Sequence, residues 1–127
     1  MTKKIFITGV AGLLGSNLAK YLINKGGYTI IGIDNEIGGI ESNVPDEVIY
    51  IKGDIKDVEL LKQHMKDVDT VFHAAALPYE GLSVFSPSIT ATSIVTGTIA
   101  VAVAAIQNNV RLLINCSSMA RYGNQVP

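Results

Sequence analysis

A single cysteine, Cys116, is all the chain carries, so no internal disulfide can form, which fits a reducing, cytoplasmic compartment. Ten Lys and Arg stand against eleven Asp and Glu, a net charge of −1. That balance gives no electrostatic footprint for nucleic acid, and without a block of like charges no charge-driven partner is indicated. No His, Cys and carboxylate residues fall at metal-ligand spacing, so no metal is expected. Internal repeats and low-complexity tracts are lacking too. What remains is 127 residues, 48% of them hydrophobic: one domain, 1–127, long enough for a real core.

Charge is also missing from Gly81 to Val110, a run long enough to span a bilayer. Its first part is polar, with Ser83, Ser86, Ser88, Thr90, Thr92, Ser93, Thr96 and Thr98, and it sits between two strand segments. The run therefore reads as a helix buried on more than one side, and no membrane is expected. Near the start, Lys3-Lys4 precede an apolar stretch that Thr8, Gly9 and Gly12 interrupt before a signal-peptide core can form.

What is present is most informative from Ile5 to Gly15. A short β-type segment runs into a glycine loop and then into an apolar-periodic helix starting near Leu13. Gly9, Gly12 and Gly15 each answer a geometric demand: a tight turn off the strand, close approach of backbone to a pyrophosphate, and close packing of helix on strand. The amides of the helix start, around Leu13 and Leu14, then face an anion with the positive end of the helix dipole behind them. Asp34 lies nineteen residues past Gly15, at the end of a second strand-like run from Tyr28 to Ile33. A carboxylate there accepts both ribose hydroxyls of an adenosine and repels a 2′-phosphate, so NAD is preferred to NADP.

The remaining pattern predicts β at 3–8, α at 13–25, β at 28–33, β at 48–51, α at 57–66, β at 69–73, α at about 88–108 and β at 111–116. Leu14, Leu18 and Leu22 share one face of the first helix, which stops at Gly26-Gly27, and Asp57 can cap the second. Glu36 to Asp46, with Gly38, Gly39 and Pro45, reads as a surface loop. Ile30-Ile31 and Leu112-Leu113-Ile114 read as strands buried on both faces. Strands alternating with helices give an α/β fold, a doubly wound parallel sheet.

Taken together, Thr8-Gly9-x-x-Gly12-x-x-Gly15, Asp34-Asn35, Gly53-Asp54-Ile55, His73-Ala74-Ala75-Ala76, Gly97-Thr98 and Ser117-Ser118-x-x-x-Tyr122-Gly123 cover essentially the whole chain. In that order and spacing the chain resembles the extended short-chain dehydrogenase/reductase family, particularly its nucleotide-sugar epimerases and dehydratases. The resemblance implies a Rossmann fold with NAD as cofactor. It places Asp54 and Ile55 at the adenine, Ala74, Ala75 and Ala76 through Pro78 along the dinucleotide, and Ser118 beside the nicotinamide and the reacting sugar hydroxyl. Ser93 stands beside Ile94, which replaces the family's usual Asn, and supplies part of that polar contact.

The implied chemistry is oxidation of a sugar hydroxyl by hydride transfer to NAD, with a tyrosinate taking the proton and a lysine lowering its pKa. That Tyr-x-x-x-Lys pair should follow Ser118 and does not, so the chain reads as an NAD-binding half with the substrate-binding portion absent. Met119 and Ala120 stand where sugar dehydratases carry an acid and a base, which disfavours that chemistry. A non-catalytic NAD-binding regulatory module is the alternative. Among other residues, His73 reads as a hydrogen-bonded structural residue, His64 as solvated, and Cys116 as filling a small buried slot. Arg121 reads as a surface charge or a contact for an anionic substrate. Apolar residues around much of the last predicted helix, about 88–108, among them Val101 and Val103, suggest an interface, and in the resembling enzymes the corresponding helix forms a homodimer contact.

Overall fold

Residues 2–124 are described in the computed structural model of the chain. Among them β1 (Lys3–Thr8), β2 (Tyr28–Asp34), β3 (Ile49–Lys52), β4 (Thr70–His73) and β5 (Leu112–Asn115) form one sheet in the order β3-β2-β1-β4-β5. Every pairing is parallel. The helices are α1 (Leu13–Lys25), α2 (Val58–His64), the short α3 (Leu82–Phe85), α4 (Pro87–Ala91) and α5 (Gly97–Gln107). A π-helical turn, Thr92–Thr96, joins α4 to α5 in one continuous rod from Pro87 to Gln107.

The pleat explains the two cores. Side chains alternate across a strand, so Ile5 and Ile7 point one way and Phe6 the other. With Ile30, the first pair meets Ala19 and Leu22 of α1. Phe6, with Ile31, Ile33 and Val71, meets Leu61 on α2, Met65 at its C-cap, and Ala100, Val101 and Ala104 on α5. Leu61 and Val101 are fully buried, and each such side chain contributes about 1.5–3 kcal/mol by leaving water. The chain runs outward from β1 to β3 and then returns to the other side of β1 as β4. This reversal opens a crevice at the carboxyl ends of β1 and β4, where ligands of such sheets bind.

The predicted elements match the observed ones to within two residues at each end, and Asp57 does cap α2, its Oδ1 accepting from the Leu60 amide at 3.0 Å. Four readings need correction. The buried stripe of α1 is Gly15, Ser16, Ala19 and Leu22, whereas Leu14 is exposed, because small residues let the helix lie closest to the strand. The long rod is buried along one stripe only (Gly97, Ala100, Val101, Ala104 and Ala105), leaving Val95, Ile99 and Ile106 exposed. Leu112 and Ile114 are exposed as well, since no described element covers their face of β5, and only its Leu113 side packs against the core. Cys116, just past β5, is exposed too and fills no buried slot.

One ion pair ties the β4 and β5 ends together. Arg111 donates from Nε to Asp69 Oδ1 at 3.0 Å and from Nη2 to Oδ2 at 2.9 Å. The guanidinium, helped by the Thr70 hydroxyl, holds the Asp69 carboxyl well below the usual carboxylate range. A depressed folded pKa stabilises the fold above the unfolded value, near 3.9, and that contribution is lost as pH falls toward the folded value. Asp69→Asn should therefore lower stability at neutral pH, and the deficit should shrink as the buffer is acidified below about pH 4. Denaturant unfolding across that range checks it; a deficit that stays constant would contradict it.

Candidate functional site

The crevice holds a cavity of about 310 Å³. Its floor is the turn from β1 into α1. Gly9 sits at φ +72°, a left-handed conformation, and a Cβ there would come within 2.8 Å of Ala75 backbone. A Cβ on Gly15 would overlap the Gly9 carbonyl, so only glycine lets α1 start this close to the strand. The loop is pinned by Gly9 N donating to Ile33 O at 2.8 Å and Gly12 N to Gly9 O at 3.1 Å. Gly12 caps α1 without a side-chain bond, so the first-turn amides of this thirteen-residue helix point into the cavity with its dipole behind them.

At the end of β2 the Asp34 carboxylate is buried and already oriented. Its Oδ2 accepts from the Ala11 amide at 3.0 Å and its Oδ1 from the Glu36 amide at 2.8 Å. Each carboxylate oxygen keeps a further lone pair for a ligand hydroxyl. Lys52, paired with Asp34 across the β2–β3 ladder, is committed elsewhere, its Nζ donating to Glu36 Oε2 at 2.6 Å. Tyr50 donates to the same carboxylate at 2.9 Å. These two bonds hold the Glu36 carboxyl below its ordinary pKa, while burial and the adjoining Glu36 push the Tyr50 hydroxyl well up. The corner is thus negative, with its nearest cation neutralised.

Every residue assigned to the cofactor from the sequence lines this one cavity: Gly9, Gly12, Leu13, Leu14, Gly15, Asp34, Asn35, Asp54, Ile55, Ala74, Ala75, Ala76 and Ser93. Leu13 and Leu14, exposed as helix residues, face it. Ser93 reaches it from the π turn, a distortion that often marks a functional position. Ile37, Gly38 and Gly39 line it as well, although their segment reads as a surface loop in the sequence. Ile40 N donates to Ala11 O at 3.2 Å, and a Cβ on Gly39 would meet Ala11, so the segment folds back over the glycine turn. The adjacent Gly38-Gly39 pair is the signal that could have found it.

Ser118 is not brought to the cavity. It is exposed past β5 and caps a 3₁₀ turn, Met119–Tyr122, its Oγ accepting from the Ala120 amide at 3.1 Å. A Tyr-x-x-x-Lys spacing does occur at Tyr21 and Lys25, but on the outer surface of α1, where the ammonium lies 5.9 Å from the ring centroid. Among the described residues no group of three or more His, Cys, Asp and Glu could hold a metal ion.

A parallel α/β sheet with a glycine turn, a helix N-terminus and a carboxylate around one crevice defines a dinucleotide-binding domain. A model of the NAD dependent epimerase/dehydratase family matches residues 5–127, and the chain belongs to that family. It is 33% identical over 132 aligned residues to a UDP-glucose 4-epimerase of Streptomyces lividans, which covers 100% of this chain and 40% of the relative. Two solved structures are similar. UDP-glucose 4-epimerase from Brucella ovis in complex with NAD superposes with a TM-score of 0.93 at 31% identity, covering 99% of this chain and 39% of that one. The Thermotoga maritima UDP-glucose 4-epimerase with UDP-glucose gives 0.92 at 28%, covering 98% and 41%. The chain therefore spans about two fifths of the length of these relatives.

Proposed function

We propose that the chain is the NAD-binding portion of an enzyme that oxidises a hydroxyl of a nucleotide sugar, a 4-epimerase or a close relative. The observation that carries this is the convergence of the glycine turn and the doubly oriented Asp34 on one cavity. A dinucleotide fits what is there. Glycines leave the floor open, alanines keep one wall thin, and the carboxylate accepts adenosine ribose hydroxyls. The first-turn amides of α1 hold the pyrophosphate, Asp54 and Ile55 border the adenine, and Ala74 to Ala76 with Ser93 flank the rest. NAD, when bound, supplies a hydride acceptor for the sugar carbinol. The similarity to epimerases crystallised with NAD and with a UDP-sugar supports both ligands.

Removing the hydroxyl proton needs a base at the reacting atom. Within these 127 residues no Tyr-x-x-x-Lys follows Ser118, and Ser118 does not line the cavity. These 127 residues alone should bind NAD yet show no dehydrogenase or epimerase turnover. NADH absorbance with a panel of nucleotide sugars tests this; sustained cofactor-dependent turnover by the chain would overturn it. A second reading, an NAD-binding regulatory module, draws support from Ile94, which stands where the family usually has Asn. The coding sequence past Pro127 separates the readings: a Tyr-x-x-x-Lys segment supports the enzyme, a stop codon the module.

The protein is further proposed to be cytoplasmic and homodimeric. The rod from Pro87 to Gln107 is, by length and composition, apolar enough to cross a membrane, but its Gly97–Ala105 stripe belongs to the core. Its outer stripe, Val95, Ile99 and Ile106, is the surface offered to a second copy. Val101 is buried against the sheet and cannot serve as a probe of that contact. Ile99→Glu should lower self-association several-fold in light scattering, because a carboxylate buried in an interface is costly. A monomer for the unmutated chain at micromolar concentration would rule the contact out.

A further inference from the structure

A chain of hydrogen bonds crosses behind the cavity, and its direction follows from its first member. The Ala75 backbone N–H can only donate, and it donates to Thr8 Oγ1 at 3.1 Å. Thr8 is completely buried, and His73 Nδ1 lies 2.7 Å from the same oxygen. If Nδ1 carried a proton, the Thr8 hydroxyl hydrogen would be left without an acceptor in a dry site, which is costly. The hydroxyl therefore donates to Nδ1, and the neutral ring keeps its hydrogen on Nε2. Nε2 lies 2.9 Å from Thr98 Oγ1, whose own hydrogen goes to the Ile94 carbonyl at 2.6 Å. All four bonds run one way, from a backbone amide to a backbone carbonyl, so each polarises the next. Burial of His73 disfavours its charged form, in keeping with this arrangement.

One end of this chain lies in a wall of the cavity and the other lies next to a second wall. Ala75 lines it from the end of β4, and Ile94 adjoins Ser93, which lines it from the π turn. Thr8 immediately precedes Gly9. The relay thus braces the glycine turn, the alanine wall and the π turn against one another, although neither His73 nor Thr98 lines the cavity. We propose that His73, fixed as the neutral Nε2–H tautomer, is a positioning residue that sets the separation of the Ala75 and Ser93 walls for the dinucleotide. The role rests on the NAD-binding reading; the tautomer does not.

Two measurements on the chain separate those dependences. Imidazole ¹⁵N NMR at about pH 7, with His64→Gln to assign the signals, should find Nε2 protonated and Nδ1 bare in His73. A protonated Nδ1 overturns the relay whatever NAD does. Calorimetry should then find that Thr98→Val, a near-isosteric change outside the cavity, weakens NAD binding roughly tenfold, the scale of one buried donor losing its partner. Thr98→Ser, which keeps the hydroxyl, should restore most of the affinity. A merely structural threonine would lower the melting temperature and leave the NAD affinity of the folded protein unchanged; that result overturns the positioning role. Failure of the unmutated chain to bind NAD, with Nε2–H observed, would instead overturn the cofactor reading and leave the relay as a structural brace.

Discussion

Gly15→Ala should abolish measurable NAD binding and destabilise the chain. The added methyl would overlap the Gly9 carbonyl oxygen and come within 2.8 Å of Gly9 C and Val10 Cα. All three are backbone atoms, so no rotamer change relieves the clash. Either α1 moves off β1 or the glycine turn opens, at about 1–3 kcal/mol of overpacking. Both responses displace the first-turn amides from the pyrophosphate position, and affinity should fall at least about 100-fold. Gly81→Ala is the control, because nothing lies within 4 Å of its Cβ position. Thermal unfolding with calorimetry on both variants checks the prediction. A Gly15→Ala protein that binds NAD like the unmutated chain would show that the turn does not approach a ligand.

Asp34→Ala should have the second largest effect, and a selective one. The carboxylate accepts from two backbone amides and keeps further lone pairs, which the ribose hydroxyls of the proposed cofactor would meet. Hydrogen bonds to a charged group are worth about 1.5–3 kcal/mol, so NAD affinity should drop roughly 10- to 100-fold. NADP should lose far less or gain, since its 2′-phosphate would no longer meet a like charge. Glu36 and Lys52 neutralise each other and change little between the two cofactors. Equal losses for NAD and NADP would mean that Asp34 acts only by holding the loop.

The sheet and its crevice were legible because their signals are local. Gly9, Gly12 and Gly15 fix the turn, Asp34 falls at the end of its strand, and the strands and helices follow hydrophobic runs. The departures come from what a run of letters does not carry. Leu112 and Ile114 are as apolar as a strand buried on both faces, but their exposure depends on whether another element covers that face. Around the long rod the apolar residues encircle the axis, and only the neighbouring α2 and the sheet decide that Val101 is inside and Ile99 outside. The segment from Ile37 to Gly39 has loop composition, and its place over the glycine turn depends on a contact with Ala11, far away in sequence. The hydrogen-bond relay was legible only in part: His73 could be read as bonded, but its partners come from two other elements, with Thr8 on β1 and Thr98 on α5.

The central claim is that this chain binds NAD through the glycine turn and Asp34. Calorimetric titration of the unmutated chain with NAD and, separately, with NADP tests it most directly. Saturable one-to-one binding of NAD, clearly tighter than NADP, is the predicted result. Equal affinities for the two cofactors, or no binding of NAD by a folded chain, would contradict it.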